Sequence, residues 1–250
     1  MNRITDYKQV SPLVMKYFRR GVVTNNFLGA DDFRAEIAEG NLFFDAEDGA
    51  LKLYVKRNGF YVLYFYLFPD CSLGGLPGAN LVCEVSQKCE EILQNSGFSK
   101  FAERVKLERI GKEENGGLTE TAAAADAEEI FLLMQKSFDE CSAYLPTLTQ
   151  LRTECENGFV KIVRGGDGIS GALRWGIGGK TALIKHLCVK STERGKGTAK
   201  RLCAAVLAEH ERCAVHTGKD NKPALSLYKS MGFCEAESES AIYMKGLKND

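Results

Sequence analysis

Ten residues, Glu193-Arg194-Gly195-Lys196-Gly197-Thr198-Ala199-Lys200-Arg201-Leu202, have the types and spacing to hold an anion. The glycine-rich turn 194–199 follows an apolar run, 181–189, and opens into an amphipathic run, 199–210. A strand, a glycine turn and a helix in that order aim several backbone N–H groups and a helix dipole at one point. Gly195 and Gly197 carry no Cβ, so a phosphate can approach the backbone closely. Arg194, Lys196 and Lys200 add positive charge around the same spot. These residues predict a phosphate-ester ligand, most naturally a diphosphate. The spacing is neither Gly-x-Gly-x-x-Gly nor Gly-x4-Gly-Lys-Ser/Thr, so it is neither a dinucleotide fingerprint nor a triphosphate loop.

A second segment, 221–233, lies downstream: Asn221-Lys222-Pro223-Ala224-Leu225-Ser226-Leu227-Tyr228-Lys229-Ser230-Met231-Gly232-Phe233. Pro223 suits the first turn of a helix, where its missing N–H is not needed. Ala224, Leu227 and Met231 recur at helical spacing and form an apolar stripe. Gly232 is a C-terminal stop. Tyr228 lies beside the stripe. It either presents its hydroxyl to a cleft or is a half-buried core tyrosine.

Arg194-x-x-Gly197-x-Ala199 matches Arg/Gln-x-x-Gly-x-Gly/Ala, and 221–233 matches Asn-x-x-Ala-x-x-Leu-Tyr-x-x-x-Gly-Phe. In that order the two motifs resemble the GNAT acetyltransferase superfamily, over roughly residues 118–250. The resemblance implies acetyl-CoA as cofactor and acetyl transfer to a primary amine of a small molecule or peptide. The strands at 181–189 and 213–217 would splay to admit the pantetheine arm. Backbone groups of Leu187, Cys188 and Val189 would pair with it as an added strand would. The diphosphate would rest on Arg194, Gly195, Lys196, Gly197, Thr198 and Ala199. Asn221 and Tyr228 complete the implied cofactor contacts. Tyr228 would protonate the leaving thiolate. An alkyl ammonium has a pKa of about 10, so a general base is expected, and His186 and His216 are the candidates. Glu193 belongs to the phosphate side and suits the role less. An acyl-enzyme on Cys188 lacks an evident His/Asp partner set, so direct transfer is the preferred course. Two other classes compete with an enzyme: a non-catalytic acyl-CoA-binding or regulatory module, and a structural protein whose glycine loop is incidental.

Composition bounds the remainder. The chain has 250 residues, 44% hydrophobic and 26% charged, with a formal net charge of zero. No basic stripe marks a nucleic-acid partner. Residues 1–10 show no apolar signal region. The most apolar stretch, 60–68, is far shorter than the ~20 residues of a membrane helix, and its aromatic, β-branched content reads as a buried strand. Nine cysteines without a Cys-x-x-Cys pair argue for a reducing cytoplasm over a disulfide framework. The histidines show no zinc-type spacing with them, so no metal is expected.

The polar, glycine-rich segment 111–120 reads as a linker between a lobe at 1–112 and a catalytic domain at 118–250. The fold class expected is α/β (α+β): two tandem lobes, each a mixed, mostly antiparallel sheet flanked by helices. In the second lobe helices are expected at 125–138, 148–156, 199–210 and 221–231. Strands are expected at 158–164, 168–176, 181–189 and 213–217, with a closing pair at 233–240 and 242–246. The first lobe reads as a worn copy of the same plan. Its helices are expected at 14–20 and 31–39, and its strands at 41–45, 51–56, 60–68 and 102–110. The segment 89–98 parallels 225–233, but Leu93 falls where Tyr228 stands, and 70–78 has no basic cluster. That lobe is expected to have lost cofactor chemistry and to pack as an intramolecular pseudo-dimer, or to assist acceptor choice. The assembly expected is a monomer or homodimer.

Overall fold

A computed structural model describes residues 1–247. It divides into two compact units, one formed by Met1–Glu103 with the described residues from Glu239 onward, the other by Arg104–Ser238. Each unit thus takes one strand from beyond the polar segment at 111–120. The strand from 104 to 110 counts with the second unit, and 239–245 with the first.

In chain order the first unit begins with β1 (Asn2–Arg3), α1 (Tyr7–Tyr17), β2 (Val23–Thr24), α2 (Ala30–Ala38) and β3 (Leu42–Glu47). It continues with β4 (Ala50–Lys56), β5 (Tyr61–Leu67), β6 (Leu81–Ser86), α3 (Glu90–Asn95) and the start of β7 (Ser99–Ile110). The second unit holds β8 (Glu120–Thr121), α4 (Ala127–Ser137), α5 (Glu140–Ala143), α6 (Leu148–Glu156) and β9 (Val160–Gly165). Then follow β10 (Gly168–Gly178), β11 (Thr181–Val189), α7 (Thr198–Glu209), β12 (Arg212–Gly218), α8 (Lys222–Ser230) and β13 (Cys234–Lys245).

Some expectations shift. The closing strand pair at 233–246 is one continuous strand, β13, whose residues 240–245 pair with β6. The first helix starts at Tyr7, not at 14, because Asp6 and Gln9 form a capping box one turn before Pro12. Strand β6, short and buried, has no counterpart among the expected elements.

The second unit is ordered β7-β12-β11-β10-β9-β8, and every pairing is antiparallel except β11 with β12. Helices α7 and α8 cover one face around Leu173, Ile184, Leu202, Val206 and Met231. Helices α4 and α6 cover the other around Ile130, Leu151, Ile162 and Ile169. The first unit is ordered β1-β3-β4-β5-β6-β13, and here too one pair, β5 with β6, is parallel.

Gly171 brings α7 down onto the sheet. A Cβ there would lie 2.9 Å from Thr198 Cγ2 and 3.1 Å from the Cys188 carbonyl oxygen. Both neighbours belong to the segments that flank the glycine loop. Gly171→Ala should therefore destabilise the chain by about 1–3 kcal/mol through overpacking. Denaturant unfolding checks this, and a variant as stable as the parent would mean that α7 stands farther off than described.

Candidate active site

Strand β11 is the axis of the site. It pairs with β10 along its length, but the register moves from Arg174↔His186 to Trp175↔Ile184, so Lys185 is an extra residue, a β-bulge. Parallel pairing with β12 runs from Ala182↔Cys213 to Ile184↔Val215 and stops there. The bulge and the parting of the strands fall at the same place. Among the described residues no strand pairs with β11 from 185 to 189 on the side of β12. The bulge also changes which side chains face which helices. Ile184 and Leu187 pack with the α7 and α8 core, while Cys188 packs with α4 and α6.

The glycine loop lies at the end of this strand. After a turn of 3-10 helix, Ser191–Glu193, the backbone passes through Gly195 at φ +77° and Gly197 at φ +80°. Only glycine adopts this left-handed region without strain. A Cβ at either position would meet nothing within 4 Å, so the space over the loop is open. Gly197 is the N-cap of α7 and offers no side-chain cap. The first helical bond runs from Arg201 N–H to the Gly197 carbonyl, 3.0 Å. The N–H groups of Thr198, Ala199 and Lys200 belong to the first turn, which has no acceptors of its own. Lys196 Nζ lies 2.9 Å from Glu193 Oε1, and Arg194 Nε lies 3.4 Å from the Val189 carbonyl. Both cations, with Lys200, are exposed. A cleft of about 470 Å³ adjoins the loop, with Lys136 and Ser137 of α4 on one wall and Lys190, Ser191 and Arg194 on the other.

Helix α8 brings Tyr228 to the face that carries Ile184 and Leu187. The ring packs 5.4 Å from that of Phe233 and is 4% exposed. Burial, and then the neighbouring Cys203, push its hydroxyl pKa well above the usual tyrosine value, so the proton stays on. Asn221 is the N-cap of this helix, its Oδ1 accepting from the Ala224 N–H at 3.2 Å.

The two histidines are not brought together. His186 is buried, its Nε2 2.8 Å from the Ala143 carbonyl and its Nδ1 3.2 Å from an Arg174 guanidinium nitrogen. A neutral ring donates the first bond and accepts the second, which engages both nitrogens. Burial, then the Arg174 charge, lower its pKa to about 3. His216 is exposed on β12, opposite Lys106 of β7 and one residue past the last pairing with β11. The Cys188 thiol is pushed up to about 12 by burial and points to the Ala172 carbonyl at 3.7 Å, so no thiolate is ready there.

Sequence reasoning missed the Lys185 bulge and the ion pair beneath it. Arg174 of β10 holds Glu154 of α6 through two nitrogens, one contact at 2.6 Å. An arginine and a histidine in largely apolar strands were the available signal for that cluster. The bulge left none.

Comparisons with known proteins bear on the family and the fold. Residues 126–233 match the model of the Acetyltransferase (GNAT) family. A putative acetyltransferase from Pyrococcus horikoshii is similar in structure, with a TM-score of 0.59 at 12% identity, over 92% of this chain and 91% of that one. A GNAT-family acetyltransferase from Colwellia psychrerythraea gives 0.58 at 13% identity, over 97% and 98%. A GCN5-related N-acetyltransferase from Sphaerobacter thermophilus gives 0.59 at 12%, over 79% and 76%. No curated protein matches the chain. The residues that match the family model all lie within the second unit.

Because His186 is buried neutral, the unfolded chain binds a proton that the folded chain refuses. Stability should fall as pH drops from the ordinary histidine value of 6.5 toward 3. His186→Gln keeps a donor for the Ala143 carbonyl and removes the titration. Urea unfolding at neutral pH and at about pH 4.5 should show a shallower acid loss in the variant. The same loss in both would contradict neutral burial.

Proposed function

We propose that the second unit transfers an acetyl group from acetyl-CoA directly to a primary amine. One observation carries the reading: the strand opening at Lys185 and the open glycine loop after Val189 lie on a single strand. An extended amide chain ending in a diphosphate needs both features at that spacing.

The chain's residues fit such a ligand. Positive φ at Gly195 and Gly197 turns the loop so that first-turn N–H groups of α7 face open space, and Arg194, Lys196 and Lys200 surround it. Anion binding at a helix N-terminus follows from those groups and the helix dipole. The unpaired side of 187–189 offers a strand edge to amides. When bound, acetyl-CoA supplies an activated acyl group and a thiol leaving group. Backbone N–H groups at the bulge are the polar groups available to an acyl oxygen. Tyr228, kept protonated by burial, serves as the acid. His186 cannot accept a substrate proton while both nitrogens are engaged, so in this proposal the base is His216, exposed beside the opening. Cys188 takes no covalent part. Asn221 contributes by capping α8. The cysteines of the described residues are all free, which fits a cytoplasmic protein. Thiol release from acetyl-CoA across a panel of small amines and peptides tests the activity; binding without release on any of them would favour the alternative, a non-catalytic CoA-binding module.

Gly197→Val should weaken acetyl-CoA binding at least tenfold. A branched residue at φ +80° also strains the loop by about 1–2 kcal/mol, so the variant must first show cooperative unfolding. Unchanged affinity in a folded variant would remove the loop from the cofactor site.

Tyr228→Phe keeps the ring packing and deletes only the hydroxyl. Turnover should drop about 100-fold or more, as for the loss of a general acid, with little change in acetyl-CoA affinity. The tight packing around Tyr228 is the observation that favours the module reading. A variant with full turnover would return Tyr228 to core packing alone.

A further inference from the structure

The first unit contains an opening of the same kind, and the chain fills it itself. Parallel strands β5 and β6 pair at Tyr61↔Leu81 and Val62↔Val82, and no pairing between them is seen farther along. Strands that part leave backbone N–H and C=O groups facing each other without partners, at a cost in a buried sheet. In this unit β5 from 62 to 67 is almost wholly buried.

The segment around Asn25 satisfies those groups. Asn25 Oδ1 accepts from the Phe65 N–H at 2.8 Å. Its Nδ2 donates to the Leu63 carbonyl on β5 and to the Glu84 carbonyl on β6, each at 3.0 Å. One carboxamide thus spans the parted strands. One residue earlier, the Thr24 hydroxyl donates to the Phe65 carbonyl at 2.6 Å. Beyond it β2 pairs with β5, Thr24 with Tyr66 and Val23 with Leu67. The outer edge of β5 is occupied from Leu63 to Leu67. The Cys83 thiol, donating to the Leu63 carbonyl at 3.3 Å, closes the floor.

We infer that residues 23–25 are a built-in occupant of the first unit's strand opening, making there the contacts that an extended amide ligand makes at β11. The inference rests on the proposed reading of β11 for its meaning, and on the first unit alone for its geometry. It gives the chain one acyl-CoA site per molecule. It also explains why the first unit keeps a strand opening without a phosphate loop: the opening has an internal amide to hold it. In the second unit, among the described residues, no strand pairs with the corresponding edge of β11.

Two measurements on the full chain test this. Amide hydrogen exchange, without ligand, should show slow exchange at Phe65. In Asn25→Ala the Phe65 amide should exchange at least tenfold faster, while Tyr64, whose amide faces β4 by strand alternation, changes much less. Should Asn25→Ala fail to fold, Asn25→Asp keeps an acceptor for Phe65 but cannot donate to Leu63 and Glu84. It should then show weakened protection across 81–86. Calorimetry with acetyl-CoA should give one equivalent per chain, and ligand should add no protection in 61–67. Equal acceleration of Phe65 and Tyr64, two equivalents of ligand, or new protection at β5 would overturn the inference. A complete lack of acetyl-CoA binding would contradict the function proposed for the second unit, and the Phe65 exchange would still decide this one.

Discussion

A parallel strand pair that stops after three residues is the constraint on which the rest depends. The peptide groups of β11 beyond Ile184 and of β12 beyond Val215 must find partners or face solvent. The Lys185 bulge makes the parting clean. It adds one residue, turns Cys188 to the opposite face from Ile184, and aims the strand at the glycine loop. Gly195 and Gly197 then reverse the chain in left-handed backbone, so that α7 starts beside the opening. The opening and the glycine loop thus lie close together along one stretch of chain.

The surrounding cluster fixes that strand. Arg174 and Glu154 tie β10 to α6, and His186 ties β11 to the end of α5 through the Ala143 carbonyl. Tyr144 follows directly, in left-handed backbone at φ +51°. A buried histidine with both nitrogens engaged is a tether more than a base. Its depressed pKa follows from burial beside a guanidinium and keeps the tether neutral over the ordinary pH range.

Much of this was legible in the sequence. The glycine turn before α7 and the Tyr228 helix were readable as structure because each rests on local chemistry: glycines at fixed spacing, a proline in the first turn, an apolar stripe. Most core strands of both units were readable from apolar runs, but buried β6 was not. The Lys185 bulge was not, since a bulge is a register relation between two strands. Asn25 was not either. It directly follows a two-residue strand, Val23–Thr24, in a short polar segment, and its importance comes from partners 38 to 59 positions away. The exchange of β7 and β13 between units was equally hidden, because linker composition marks chain polarity and not pairing. His186 shows the opposite error. A histidine on a strand beside the opening suggested a base, and only the Ala143 and Arg174 contacts assign it to structure.

In the proposed function, one loop and one strand edge together hold an acyl-CoA, with the diphosphate on 195–199. Comparing the affinities of CoA and pantetheine for the full chain by calorimetry tests it most directly. Pantetheine keeps the amides and the thiol but lacks the diphosphate. Hydrogen bonds to charged groups contribute about 1.5–3 kcal/mol each, so two or more lost at the loop should weaken binding at least ~100-fold. Equal affinities for the two ligands would contradict the account.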